Sequence, residues 1–489
     1  MLFSSLIPIA AVAVLYGLIS LLKAYSSTLR DVPGPFFARF TRLWEFYHAA
    51  WREDSEVVLQ NLHRKHGNIV RVAPNRYSIT DPAAVQLIYG AGSKFAKSDF
   101  YSSFGGTNAH DRDVFSEMDI KKHAQKRRIQ ANFYANSTLL SYEPFVDQTN
   151  ERFVQTLDRL AQEGKPFDLF TWMQLYAFDV IGEFTFGRSF GLIECGYDKD
   201  NLLHTVDWLN NRWGGRVGLI PEIHVLWRLV MKYIPSIHPL STLYKVIGRE
   251  VKVRFEGKAE PTDREDMMGK CIKSIGAGKM SRYSMQEIVA QNFGAGSDTT
   301  ATALSATIWF LAQDTRCLEK LRAELEEAAV AGDLSDPVTF AQGQKLTYLQ
   351  ACIQEALRLH SPVGSTLYRV VPEGGATIAG KYFPAGTHVG INPWVFHHMP
   401  DIWGDDVLNF KPERWLGDTS TIDKAFLAFG GGARTCIGRH VSMLEMSKLL
   451  PTIIRNFDFT PAQDTGLEFR SGFFTKPTVK VTIKRVDEK

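Results

Sequence analysis

No charged side chain occurs from Met1 to Leu22, and Leu6 to Leu15 with Leu18, Ile19, Leu21 and Leu22 makes one mainly apolar run. At about 1.5 Å per residue a helix of this length spans roughly 30 Å, one bilayer crossing. A cleaved signal peptide would show a positive start and a small-residue cleavage site, and the segment has neither. Lys23 and Arg30 follow the run, which by the positive-inside rule leaves the rest of the chain in the cytosol. Residues 1–22 are therefore expected to be a transmembrane anchor. Residues 23–35 form a hinge ending in Asp31-Val32-Pro33-Gly34-Pro35, whose prolines fix φ on either side of a glycine.

Beyond the hinge, residues 67–73 and 77–80 alternate as paired strands around the turn Pro74-Asn75-Arg76. Helical spacing dominates from about Thr138 to Val330, and strands return at Ala376–Gly380 and Thr387–Gly390, split by Pro384-Ala385-Gly386. Ser284-Met285-Gln286-Glu287 reads as a capping box for a long apolar helix from Ile288 to Phe310, weakened at Gly294 and Gly296. Later, Glu355 and Arg358 stand three apart on one helical face among apolar neighbours. The expected fold is mostly α with a small β part, as a single body over residues 36–489.

Composition narrows the function without choosing it. The 489 residues are 45% hydrophobic and 22% charged, enough to bury a large core, and a net charge of +3 gives no argument for nucleic acid. The five cysteines are far apart, with no C-x-x-C pair and no zinc-like spacing, which fits a reducing compartment. Cys195, Cys271, Cys317 and Cys352 read as packing residues.

Cys436 is different. It lies in Phe429-Gly430-Gly431-Gly432-Ala433-Arg434-Thr435-Cys436-Ile437-Gly438, where glycine turns and the start of a following helix free backbone N–H groups to stabilise a thiolate. Arg434 is placed to meet a carboxylate such as a haem propionate, and Gly438 lets the backbone pass close under a flat ring. The loop reads as a haem-iron thiolate site.

The pattern F-x-x-G-x-R-x-C-x-G resembles the haem-ligand loop of the cytochrome P-450 family, and further motifs follow in the same order. Ala295-Gly296-Ser297-Asp298-Thr299-Thr300 is similar to the family's oxygen-binding motif, which implies that Thr299 and Asp298 supply protons for cleavage of the O–O bond. Glu355-x-x-Arg358, with Arg414 in Pro412-Glu413-Arg414-Trp415, resembles the family's Glu-Arg-Arg triad, a structural lock beneath the haem. His123-x-x-x-Arg127-Arg128 resembles a common variant of another family motif, so His123 and Arg127 are expected at one propionate and Arg369 at the second. Lys121, Lys122 and Lys126 are expected to steer an acidic electron donor. The family's pocket-lining segments fall at Phe293 and Ala295, at Val363 to Leu367, at Phe473 and Phe474, and in the loop from Phe104 to Phe115.

The resemblance implies haem b held by Cys436, O2 as a substrate, and a hydrophobic small molecule as the other. No flavin or nicotinamide module follows the loop, so electrons are expected from a separate NADPH-dependent cytochrome reductase. The proline-rich hinge is similar to that of microsomal members, implying a single-pass protein of the endoplasmic reticulum in contact with membrane lipid. The stretch Val32 to Trp44, with the later H-x-x-x-R-R, looks like filamentous-fungal members that tailor secondary metabolites, of the pisatin demethylase kind. Two rival functions remain open. One is a haem-thiolate isomerase or dehydratase acting on a preformed peroxide, against which the Asp298-Thr299 pair speaks; the other is a non-catalytic haem-binding membrane protein.

Overall fold

The computed structural model describes residues 15, 17–105, 112–223, 233, 241–256, 265–462 and 466–486. The expected anchor falls largely outside them: of residues 1–22, only Leu15 and 17–22 are described, the latter within a helix that runs to residue 26. Among the described residues no helix is long and apolar enough to cross a membrane. The Pro33-Gly34-Pro35 segment is tied to the first strand, where Arg71 N donates to Pro33 O at 2.8 Å. A Cβ at Gly34 would collide with Arg71 O, so the close approach selects glycine there.

The helical half is organised around Arg282–Gln313, which at 32 residues is about 48 Å long. Every residue from Thr300 to Ile308 is buried, because Leu169–Phe186, Thr347–Leu359 and Arg439–Asn456 all pack against this central helix. A helix covered on all sides must be apolar or internally satisfied all round, and the run of Ala, Thr and Leu here meets that demand. The helix begins earlier than the sequence suggested. Ser281, rather than Ser284, is the N-cap and accepts from Ser284 N at 3.0 Å, while Glu287 pairs with Lys126 at 2.6 Å. The predicted capping box is thereby replaced by a tertiary ion pair.

The β part is a five-stranded sheet in the order Ile69–Ala73, Arg76–Ile79, His388–Gly390, Arg369–Val370, Ala96–Lys97. The first pair is antiparallel as expected, with Arg76 drawn from the turn into the strand. The second predicted region divides. Ala376–Ile378 pairs with Lys381–Phe383 in its own hairpin, and His388–Gly390 joins the large sheet in parallel with Arg76–Ser78. This sheet brings Lys97 beside Arg369 in register, placing two cations at one edge.

Candidate active site

The cysteine loop is folded back on one carbonyl. Phe429 O accepts from Cys436 N at 2.8 Å and from Thr435 Oγ1 at 3.2 Å, and Gly430 and Gly432 turn with φ of 68° and 57°. A Cβ at Gly432 would run into Tyr89 O, so the third glycine is required by contact as well as by φ. Gly438 has ordinary φ, and a methyl there would meet only Cys436 Sγ, at 3.9 Å. Its smallness therefore serves the space beside the sulfur rather than the turn. The following helix begins at Arg439, with Gly438 as its N-cap.

Cys436 is exposed as a residue, while protein groups crowd round its thiol. Burial raises the thiol's proton affinity, opposed by the N–H groups of Gly438 and Arg439 and by the charges of Arg127 and Arg439. The contrast with Cys271 is instructive: there burial acts with nothing against it and pushes the thiol to about 12. At Cys436 the backbone aims donors at sulfur, as a metal-bound thiolate requires.

Cations converge next to this loop. Arg127 donates to Thr435 O at 2.8 Å, Arg434 to Glu117 O at 2.6 Å and Met118 O at 3.2 Å, and Arg369 to Tyr368 O at 2.9 Å and the Tyr101 hydroxyl at 3.1 Å. Lys97, buried and not singled out from the sequence, donates to Phe115 O and lies 3.9 Å from the Phe115 ring centre and 4.2 Å from that of Tyr101. All four bind backbone carbonyls. Their effect is plain at His123, where burial first, then Arg434, Lys97, Arg127 and Arg369, depresses the imidazole to about 3. Arg434 itself is lowered to about 10 by burial and by Arg369. A cavity of about 310 Å³ opens among His123, Arg127, Arg369, Arg434, Gly431 and Tyr89. A concentration of positive charge around a cavity fits a ligand bearing carboxylates.

Glu355, Arg358 and Arg414 come together as expected, fully buried except for a small part of Arg414. Arg358 forks onto Glu355 at 2.8 and 2.9 Å, and Arg414 Nε reaches the same carboxylate at 3.4 Å. Trp415 Nε1 at 2.9 Å and Lys411 N at 3.1 Å complete the carboxylate. Arg358 also donates to His397 O and Val407 O, both at 2.9 Å, which pins the segment leading toward the cysteine loop. His397 continues the link by accepting from Leu427 N at 2.9 Å.

On the central helix, Thr299 Oγ1 donates to Ala295 O at 2.8 Å. Ala295 is exposed and Thr299 half-buried, while Ser297 and Asp298 between them are fully buried. Gly296 lets the helix approach Leu169–Phe186, since a Cβ there would press on Ile181 Cδ1 at 2.7 Å. Gly294 instead offers its carbonyl to Asn210 Nδ2 at 2.6 Å. Asp298 receives Gln174 Nε2 at 2.6 Å and lies 2.9 Å from Lys476 Nζ. Neither Gln174 nor Lys476 was apparent from the sequence; a lysine two residues after the apolar pair Phe473-Phe474 was the available signal for the second.

The expected substrate-contacting residues separate into two groups. Phe293 is fully buried among Phe178, Phe186 and Phe190, with ring centres 5.3 to 5.5 Å away, so it belongs to the helical core. Leu367 packs partly against the sheet-side core. Phe473 lies 4.6 Å from Phe104 and 5.9 Å from Phe115, and Phe474 is bridged to Val363. Phe429, beside the cysteine, is half-buried with Arg439 over its ring at 5.4 Å.

Residues 37–485 match the model of the family described as Cytochrome P450, and the chain belongs to that family. It is 37% identical to a pisatin demethylase of Fusarium vanettenii, over 98% of this chain and 93% of the relative. It is 35% identical to a cytochrome P450 monooxygenase of Aspergillus terreus, over 93% of this chain and 96% of the relative, and 33% identical to one of Penicillium aethiopicum, over 93% and 94%. The chain is accordingly a cytochrome P450 monooxygenase, an oxidoreductase whose family cofactor is haem, with O2 and a small molecule as substrates. The donor set agrees with that cofactor: one soft sulfur with N–H groups turned toward it, and cations around a cavity beside it.

Proposed function

We propose that this protein inserts one oxygen atom from O2 into a hydrophobic small molecule as a step in fungal secondary metabolism, with haem held through Cys436. The observation that carries the reading is an exposed Cys436 just before a helix N-terminus, in a loop whose Gly431, Ala433 and Arg434 line a cationic cavity. Haem bound there supplies an iron at which O2 is activated, and a thiolate ligand favours O–O cleavage. Arg127, Arg369 and Arg434 would hold the propionates by charge. His123 contacts them as a neutral imidazole, since its proton affinity is too low for a cation near neutral pH. Glu355, Arg358 and Arg414 lock the segment beneath the haem. Thr299 presents a hydroxyl on the accessible side of the central helix, and Asp298 is its proton reservoir.

Phe104, Phe115, Phe473 and Phe474 close an apolar, aromatic wall suited to a flat apolar substrate. Electrons come from a separate NADPH-dependent cytochrome reductase. Lys121 and Lys122 are exposed for its acidic surface, whereas Lys126 is engaged with Glu287. Residues 1–22 anchor the chain in the endoplasmic reticulum membrane, 23–35 act as hinge, and 36–489 form the catalytic domain in the cytosol. The test is an accurate-mass comparison of small metabolites in a producing organism with and without this chain. A pair differing by one oxygen atom, or by hydrogens lost after oxidation, supports the reading. A pair of equal mass, or one differing by water with no reductase requirement, overturns it in favour of rearrangement.

A further inference from the structure

One carboxyl, that of Glu56, touches both stretches of chain that meet at the aromatic wall. Glu56 lies in the helix Ser55–His66 and is fully buried. Its Oε2 accepts from the Ser471 hydroxyl, and a Cβ at Gly364 would land on its Oε1, which receives no hydrogen bond from another residue. Ser471 leads into Phe473 and Phe474, and Gly364 follows Val363, which is bridged to Phe474.

The two stretches are also bonded to each other. Gly364 N donates to Phe473 O and Thr475 N to Pro362 O, both at 3.0 Å, and Ser365 Oγ reaches Gly472 O at 3.4 Å. Gly364 and Ser471 line a cavity of about 60 Å³, together with Ser55 and Leu59 from the helix of Glu56 and with Phe100, whose ring stacks on Phe473 at 6.2 Å. A polar-walled cavity of that size admits a few water molecules, so a charged Glu56 has a wet space to turn toward. A buried carboxylate with one oxygen unpaired is costly, and the closed arrangement therefore selects the protonated form. Burial pushes this carboxyl up to about 7.

Neighbouring groups leave Glu56 to titrate by itself in this range. Asp54, at the start of its own helix, raises it further. On the segments packed against it, His360 and His398 are held by burial to about 4 and are uncharged. Lys476 is paired with Asp207 and Asp298, Arg470 with Asp207, and Arg216 with Glu53.

We propose that Glu56 is a positioning residue for substrate: protonated, its carboxyl clamps residues 362–366 against 471–475 and sets the shape of the wall at Phe473 and Phe474; ionised, it turns toward the adjoining cavity and loosens that wall. The proposal rests on the reading of this wall as the substrate's. The proton exchanges with solvent, and no bond between heavy atoms forms or breaks.

The test uses ferric holoprotein and two probes that ligate haem iron through nitrogen: 4-phenylimidazole, whose ring extends to the wall, and imidazole, which is too small to reach it. Optical titrations compare wild type, Glu56→Gln and Ser471→Ala; each probe's own titration is common to all three proteins and cancels in their ratios. Relative to Glu56→Gln, wild type should bind 4-phenylimidazole about fivefold more weakly at about pH 8.5 than at about pH 6, while imidazole changes less than about twofold. Amide exchange at Gly364 and Thr475, again relative to Glu56→Gln, should quicken about tenfold over that range. In Ser471→Ala the fall in affinity should move to higher pH, because the lost hydroxyl favours the ionised form. Ratios that stay flat with pH, or that change alike for both probes, overturn the proposal. Should Glu56→Gln fail to fold, wild type against Ser471→Ala decides, and an unmoved midpoint overturns it. Protein that holds no haem, or whose haem takes up neither probe, overturns the functional reading itself, an outcome distinct from these.

Discussion

Replacing Glu355 by alanine removes the acceptor at the centre of the triad and leaves the guanidinium of Arg358, itself 0% exposed, without its counter-charge. Breaking a buried pair by deleting one partner costs about 3 to 5 kcal/mol, because the remaining charge stays desolvated. Trp415 Nε1 and Lys411 N lose their acceptor as well, and a buried donor left unmade costs about 1 to 3 kcal/mol. Arg358 keeps three backbone carbonyls, which places the total near the upper end of the pair range rather than at the full sum. Against a typical stability of about 5 to 15 kcal/mol, such a loss removes much of the margin. The loss falls on the segment that carries His397 and, through it, Leu427 before the cysteine loop. Glu355→Ala is therefore expected to yield protein without haem, and Glu355→Gln, which keeps an acceptor for Trp415, to lose less. Urea denaturation together with haem bound per chain checks both. A Glu355→Ala protein with full haem, a loss under about 1 kcal/mol and merely slow turnover would refute the lock.

Four further outcomes are expected. Thr299→Ala should release more peroxide for each NADPH consumed, measured by peroxide assay in the reconstituted system; unchanged coupling removes Thr299 from proton delivery. Gly432→Ala places a methyl against Tyr89 O at positive φ, so haem content should fall sharply relative to Gly430→Ala, whose new methyl would meet nothing nearer than Arg434 O at 3.8 Å. Arg434→Ala should speed haem transfer to a scavenging apoprotein at least tenfold, and an unchanged rate would contradict its propionate role. Glu56 is fully buried against Gly364, and burial raises its carboxyl from 4.5 to about 7. The unfolded chain then ionises first, so stability should fall by roughly 3 kcal/mol as pH rises from about 4.5 to about 7; in Glu56→Gln that slope should disappear from pH-dependent urea midpoints.

Much of this was legible in the chain because it is encoded over short spans. The cysteine loop needs its glycines within ten residues, and the Glu355–Arg358 fork lies within a single helical turn. The first strand pair declared itself by alternation about a proline turn. What escaped depends on partners remote in sequence. The central helix is capped by Ser281, and Glu287 is taken up by Lys126, 161 residues away, which local capping chemistry could not foresee. Phe293 looked like a pocket residue by position, but three phenylalanines from another helix and its following loop claim it. Lys97 and Lys476 are buried lysines, and an isolated lysine near apolar residues gives no hint of which acid, ring or carbonyl will receive it.

The central claim is that the Cys436 sulfur holds the iron. Iron-edge X-ray absorption of purified holoprotein, wild type beside Cys436→His, tests it most directly. One sulfur neighbour in the wild type, lost in Cys436→His, is the expected result. A wild-type spectrum with only nitrogen and oxygen neighbours, or a sulfur that persists when Cys436 is replaced, would contradict the account.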